Sequence, residues 1–175
     1  MPIKSRIRTV PHYPHKGVMF RDVTTLLKDP IGFRTTVQEI TKRHQKSQIS
    51  KVVGIESRGF IIGAPVAYQL ETGFVPIRKK NKLPAETIGR DYQLEYGSDR
   101  IEVHVDAIQR GDRVLLVDDL IATGGTAEAA VRLIQEMGGE VVECCFVIDL
   151  PDVGGRKRLE KMGCKIFSLC EFEGD

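Results

Sequence analysis

The stretch Val114-Leu-Leu-Val-Asp-Asp-Leu-Ile-Ala-Thr-Gly-Gly-Thr126 reads as a buried strand, an acidic pair, a glycine–threonine loop and the start of a helix. The apolar residues from Val114 to Val117 suit a strand covered on both faces. Asp118 and Asp119 then stand at its carboxyl edge, where adjacent carboxylates repel unless something satisfies them. A ribose diol offers two hydroxyl donors at a matching separation. Ala122, Thr123, Gly124, Gly125 and Thr126 follow. The glycines let the backbone approach an anion, the threonines add hydroxyls, and the helix behind them supplies free N–H groups and a positive dipole end. An acid pair followed by a phosphate loop fits a ribose 5-phosphate gripped at both ends. The pattern is not a P-loop, which needs Gly-Lys-Ser/Thr. Nor is it a dinucleotide fingerprint, whose acid lies about 20 residues after the glycines.

Outward from this stretch, strands and helices alternate. Ala127, Ala130, Val131, Ile134 and Met137 form a helical stripe that Gly138-Gly139 ends. Upstream, Asp29 caps a helix with Pro30 in its first position, and Phe33, Val37, Ile40 and His44 recur at helical spacing behind it. Residues 51–55 read as a buried strand, 59–70 as an apolar helix that Pro65 starts late or kinks, and 74–78 as a second strand. Residues 101–105 alternate, as in a half-exposed strand. The core strand spans 113–118, and 141–149 is the next buried strand. A short helix at 156–162 and a strand at 165–169 complete the chain, and the segment before Asp29 is irregular. This order predicts one α/β domain over residues 1–175, with a mainly parallel sheet flanked by helices on both faces. Ligands bind outside the carboxyl ends of the strands in such sheets.

Composition supports a globular domain: 175 residues, 41% hydrophobic and 29% charged. A formal net charge of only +2 gives no global pull toward nucleic acid or a membrane, so any anion site is local. Cys144, Cys145, Cys164 and Cys170 form no C-x-x-C pair and lie near no histidine at zinc spacing, as expected for buried or half-buried reduced thiols. His12, His15, His44 and His104 form no spaced cluster and read as non-catalytic. No apolar h-region follows the polar, basic residues 1–8, and no segment approaches the roughly 18 apolar residues of a membrane span. The expectation is a soluble, cytoplasmic protein without nucleic-acid or membrane partners.

Further motifs fall on the same edge of the sheet. Gly54-Ile-Glu-Ser-Arg-Gly-Phe60 puts an arginine and a helix N-terminus after the first core strand, a second anion site. Arg78-Lys-Lys-Asn-Lys-Leu-Pro84 places four cations just past the second strand. The long polar segment 84–97 is a candidate lid.

The run Val-Asp-Asp-Leu-Ile-Ala-Thr-Gly-Gly-Thr resembles the phosphoribosyl pyrophosphate motif of type I phosphoribosyltransferases. Its Ala-Thr-Gly-Gly-Thr form is most similar to the adenine-specific branch, and the resemblance covers roughly residues 10–159. It implies the type I fold with a flexible lid over residues 79–100, and transfer of a phosphoribosyl group to adenine with release of pyrophosphate, giving AMP for purine salvage. By the same resemblance Asp118 and Asp119 take the ribose diol and Ala122 to Thr126 the 5-phosphate. Glu56, Ser57 and Arg58, joined by a cis Glu56–Ser57 peptide, hold pyrophosphate with Arg78, Lys79 and Lys82. Val18, Met19, Phe20 and Arg21, within an element at 1–28, bind the base. Glu95, Tyr96 and Arg58 act in catalysis, with Glu95 as the acid/base candidate. A pyrophosphate leaving group gathers charge that Mg²⁺ neutralises, and no dedicated protein cage for the ion is visible. Family members are usually homodimers. They typically carry an acid where this chain has His12, Pro at Lys16 and Gly at Asn81. Transfer to hypoxanthine or guanine, or binding of phosphoribosyl pyrophosphate without turnover, are the alternative readings.

Overall fold

The computed structural model describes residues 2–94 and 96–174. In chain order these form β1 (Arg8–Pro11), β2 (Met19–Asp22), α1 (Thr24–Leu27), α2 (Pro30–His44), β3 (Lys51–Ile55), α3 (Arg58–Gln69), β4 (Gly73–Lys79), β5 (Thr87–Gln93), β6 (Ser98–His104), β7 (Arg113–Ile121), α4 (Gly125–Glu136), β8 (Glu140–Asp149), α5 (Gly155–Glu160) and β9 (Ile166–Glu171). Seven strands make one sheet in the order β5-β6-β4-β3-β7-β8-β9, while β1 and β2 pair as a separate antiparallel hairpin. The strands from β4 through β9 along that order run parallel, and β6 and β5 add an antiparallel edge.

Helices cover both faces, which is why the central strands are apolar without interruption. Val53, Leu116, Cys144 and Phe146 pack toward α4 and Leu159 of α5. Their neighbours Val52, Leu115, Val117, Cys145 and Val147 pack on the opposite side against Val37, Ile40, Ile62 and Val66 of α2 and α3. The period of two along each strand thus divides consecutive residues between two cores. Asp29 caps α2, accepting from the Ile31 N–H at 3.1 Å.

The structure corrects the sequence reading at several points. Strand β7 runs on through both aspartates to Ile121, because Leu120 and Ile121 pair with Ile148 and Asp149 of β8. Pro65 lies inside α3, which begins at Arg58 rather than after the proline. Ile101, Glu102 and Val103 are buried in succession, so β6 is not half-exposed there. Strands β1, β2 and β5 and the single turn α1 have no counterpart in the sequence reading. The thiols conform to expectation: Cys144, Cys145 and Cys164 are buried, Cys170 is half-buried, and all four are free.

A buried charge network ties α2 to β8 at the sheet edge away from the strands' carboxyl ends. Arg43 donates twice to Glu143, at 2.7 Å each, and His44 Nε2 lies 2.7 Å from the same carboxylate. Burial alone would raise the Glu143 carboxyl, but Arg43 and His44 together hold it near a pKa of about 2. A depressed carboxylate pKa stabilises the fold above its ordinary value of 4.5, and that contribution is lost as the pH falls toward about 2. Glu143→Gln is expected to cost about 3 kcal/mol at neutral pH, at the low end for a broken buried pair because Arg43 keeps part of its exposure. Urea melts at pH 7 and across the acid limb measure this, with the variant's acid sensitivity smaller than that of the native chain.

Candidate active site

The sheet reverses its order between β3 and β7: the chain leaves β3 to one side for β4 and returns on the other side as β7. Crevices at such switch points receive ligands, and the acidic pair stands here. Asp119 is buried at 7% exposure while Asp118 is half-buried. Burial pushes the Asp118 carboxyl well above the usual carboxylate range, and repulsion from Asp119 adds to it. The Asp119 backbone N–H, donating to Asp118 Oδ1 at 2.9 Å, works against the rise.

Arg58, in the first turn of α3, ion-pairs across the crevice with Asp119 through its Nε. The loop before it packs tightly. A Cβ on Gly54 would fall 2.8 Å from the Phe74 ring, and one on Gly59 would fall 2.9 Å from the Val117 carbonyl. Both positions therefore require glycine, and this brings α3 directly onto the ends of β3 and β7. The Glu56–Ser57 peptide is cis, as the resemblance implies.

Glu56 also organises the neighbouring cationic run. Its Oε1 accepts from Arg78 Nε at 3.0 Å and from the Lys79 backbone N–H at 3.1 Å. Lys79 Nζ donates to the Tyr92 hydroxyl at 2.8 Å and pairs with Asp99, joining β4 to the β5–β6 hairpin. Asn81 adopts φ 64°, the left-handed geometry that Gly would take, and its N–H donates to Glu102 at 2.7 Å.

The glycine–threonine loop from Ala122 to Thr126 lies over the N-terminus of α4, with Gly124 at φ 81°. What the sequence reading misses is the partner of this loop. The Gly155 N–H at the start of α5 donates to the Ala122 carbonyl at 2.9 Å. A Cβ on Gly155 would come within 2.8 Å of the Gly124 nitrogen and closer still to the Ala122 oxygen. Gly154-Gly155 lies about 30 residues past the loop in sequence, so no local pattern reveals the contact.

The fourth wall is the β1–β2 hairpin. Phe20 meets Tyr13 edge-on at 5.1 Å between ring centroids. Arg21 donates to Thr9 at 2.6 Å and to the Glu173 carbonyl at 3.2 Å, and stacks 4.5 Å from the centroid of the Phe172 ring. The C-terminal segment thereby fastens the hairpin to the domain. His12 Nδ1 accepts from the Gly17 N–H at 3.1 Å, so the residue that departs from the family pattern closes the turn between the two strands.

These walls enclose one cleft of about 600 Å³. Val18, Met19, Phe20, Arg21, Glu56, Ser57, Arg58, Lys79, Asp118, Asp119, Ala122 and Thr126 all line it. Thr123, Gly124 and Gly125 line an adjoining recess of about 160 Å³ that shares Asp118, Ala122 and Thr126 with the cleft. Arg78 and Lys82 are not among the lining residues: Arg78 faces Glu56 and the Lys82 carbonyl, and Lys82 is exposed. Tyr96 is 82% exposed and does not line the cleft either. Glu95 lies outside the described residues. Tyr92 lines the cleft beside Lys79 and was not legible as a site residue.

A mainly parallel sheet with an acidic strand end, a glycine–threonine loop over a helix N-terminus and an arginine across the switch point defines an α/β protein with a ligand-binding crevice suited to an anion. The family model of the phosphoribosyl transferase domain matches residues 23–173, and the chain belongs to that family. An adenine phosphoribosyltransferase of Nitrosospira multiformis is 78% identical over 175 residues, covering all of both chains. The crystal structure of adenine phosphoribosyltransferase from Rhodothermus marinus is 50% identical with a TM-score of 0.91, over 97% of this chain and 96% of that one. The Saccharomyces cerevisiae enzyme, solved with an imino-altritol bisphosphate and adenine, is 35% identical with a TM-score of 0.90, over 96% of each chain.

Gly155→Ala is expected to lower stability by about 2 kcal/mol, as for other overpacked sites, and to weaken phosphoribosyl pyrophosphate binding by displacing the loop. Thermal melts and a substrate titration of the same preparation measure both.

Proposed function

We propose that this cleft transfers the 5-phosphoribosyl group from phosphoribosyl pyrophosphate to adenine, giving AMP and pyrophosphate, with each part of the substrates held by a separate wall. The observation that carries this reading is the convergence of the hairpin, the Arg58 loop, the acidic pair and the phosphate loop on one cavity. Asp118 and Asp119 accept from the ribose diol. The backbone and hydroxyls from Ala122 to Thr126 hold the 5-phosphate at the positive end of α4. Ser57, Arg58 and Lys79 receive pyrophosphate, with Glu56 fixing the start of the cationic run and Arg78 and Lys82 at its rim. Val18, Met19 and Phe20 flank the flat base, and Arg21 braces them.

The reaction displaces pyrophosphate at C1 by a ring nitrogen of adenine, with oxocarbenium character on the ribose. The chain contributes positioning and preorganised charge. The segment 79–100 covers the site during the reaction and excludes water, the competing nucleophile. Glu95 handles the proton on the base, and Tyr96 travels with it. The residues fit Mg²⁺ held largely through substrate oxygens. Asp118 and Asp119 are adjacent carboxylates on the cleft, and a divalent cation would offset both the burial and the repulsion that raise Asp118. When bound, the ion would neutralise charge on the departing pyrophosphate.

The chain acts as a homodimer in the cytoplasm. Ile61, Ala64 and Tyr68 form an exposed apolar stripe on α3, with Tyr68 85% exposed, and this supports a second copy as its cover. Four free thiols support a reducing compartment. Among the described residues, no helix is long and apolar enough to cross a membrane.

The test is to supply Mg²⁺ and phosphoribosyl pyrophosphate with adenine, hypoxanthine, guanine or uracil, and to measure nucleotide and pyrophosphate. Nucleotide from adenine alone is expected. Product from another base would overturn the assignment of Val18 to Arg21 as an adenine site. Asp119→Asn is expected to weaken phosphoribosyl pyrophosphate binding about tenfold or more, since it removes a charged acceptor from the diol and a partner from Arg58. An unchanged dissociation constant in calorimetry would remove the ribose assignment.

A further inference from the structure

We infer that Arg158, on α5, is a further anchor for the 5-phosphate, an assignment that rests on the phosphoribosyl transfer proposed above. Arg158 belongs to none of the motifs that mark the site in sequence, and the fold brings it there. The contact between the Gly155 N–H and the Ala122 carbonyl locks α5 onto the phosphate loop. One turn further on, Arg158 shares the wall of a groove of about 520 Å³ with Thr123, Gly125 and Thr126. Its Nη1 lies 3.6 Å from the point where a Cβ on Gly125 would stand.

The charge arrangement at this place is unbalanced. The N-terminus of α4 carries the positive end of the helix dipole and favours anions. A guanidinium beside it is repelled unless negative charge answers both. The carboxylate paired with Arg158 is Glu128, in the first turn of α4, and it is shared; Asp91 borders the same recess beside Arg90 and pairs with Arg100. Arg132 Nη2 approaches it at 3.0 Å, and Arg158 pairs with it through Nε. Burial opposes the Glu128 charge, yet the two arginines outweigh that and hold its carboxyl below the usual range. Two arginines and a helix terminus thus share the Glu128 carboxylate, and on the loop side Arg158 stands with Thr123 and Thr126. A phosphate dianion supplies the missing charge. Glu128 holds the Nε side of Arg158, which fixes the guanidinium plane while its terminal nitrogens remain next to the loop.

A purely structural clamp between α5 and α4 through Glu128 is the competing role, and ligand discrimination separates the two. Native chain, Arg158→Ala and Arg158→Lys are titrated with AMP, ribose 5-phosphate, pyrophosphate and adenine, and their steady-state kinetics and melting temperatures are measured. The expected result for Arg158→Ala is about a tenfold or greater loss of affinity for AMP and ribose 5-phosphate. The KM for phosphoribosyl pyrophosphate rises in parallel, while kcat stays within about threefold. Pyrophosphate and adenine bind as before, and Arg158→Lys recovers much of the loss. Native affinity for AMP and ribose 5-phosphate in Arg158→Ala would overturn the inference. So would an equal weakening of pyrophosphate accompanied by a lower melting temperature, which is the signature of the clamp. If the native chain made no AMP from adenine while ribose 5-phosphate binding still depended on Arg158, the transfer reading would fail and this anchor would stand.

Discussion

The site is organised around the repulsion between two adjacent carboxylates at the end of a buried strand. Asp118 and Asp119 share a sheet edge, where burial first and mutual repulsion second raise the Asp118 carboxyl. Arg58 answers one of the two from the opposite side of the switch point. That pairing requires α3 to start immediately at the end of β3. Such a start in turn requires Gly54 and Gly59 to let backbone and ring approach closely. The other carboxylate is left to ligand hydroxyls or a cation. The arrangement is unfavourable without a partner and for that reason selective for one that brings donors.

A second constraint acts on the phosphate loop. Helix termini bind anions readily, but a loop of glycines and threonines has many conformations of similar energy. Here α5 removes that freedom. Gly155 is pressed against Ala122 and Gly124, so the loop's outer face is fixed by backbone contact before any ligand arrives. The same contact brings Arg158 beside the loop, so one packing contact sets both the shape and the charge of the groove over α4.

The parts of the site legible in sequence are those in which cause and effect are neighbours in the chain. Val114 to Thr126 contains the strand, both acids, the loop and the helix start, and the structure keeps them in that relation, although β7 outlasts the predicted strand by three residues. The Arg58 loop is legible for the same reason. Strand β5 is not, because Thr87–Gln93 is mostly polar and forms a strand only through its pairing with β6. The β1–β2 hairpin hides behind Pro11 and Pro14, and it is fastened by Arg21 to Phe172 and Glu173 at the far end of the chain. Arg78 and Lys82 show the converse. The resemblance implies pyrophosphate contacts for both, and Arg78 is engaged by Glu56 and the Lys82 carbonyl beside the cleft rather than on its wall. Tyr92, hidden in an unrecognised strand, stands on that wall beside Lys79 instead.

A formal net charge of +2 conceals local clusters of paired charge. On the carboxyl edge of the sheet Arg21, Arg58 and Lys79 line the same cleft as Asp118 and Asp119, and Arg158 and Arg132 pair with Glu128. Each cation cluster carries a carboxylate that orients it without cancelling it. Away from that edge the buried pairs are closed: Arg43 spends both ends of its fork on Glu143. What separates Arg43 from Arg58 and Arg158 is how the acid engages the guanidinium; Arg156, held through Nε by buried Asp149, still turns its other nitrogens inward to Ser168 and the Ile166 carbonyl. A bidentate partner uses the guanidinium up, whereas a partner on Nε alone leaves the remaining nitrogens to other contacts. Arg58 and Arg158 are both held through Nε by acids at the mouth of the same sheet edge; in the reading proposed above, the loops they serve, one before α3 and one before α4, each present a partly engaged guanidinium to one substrate.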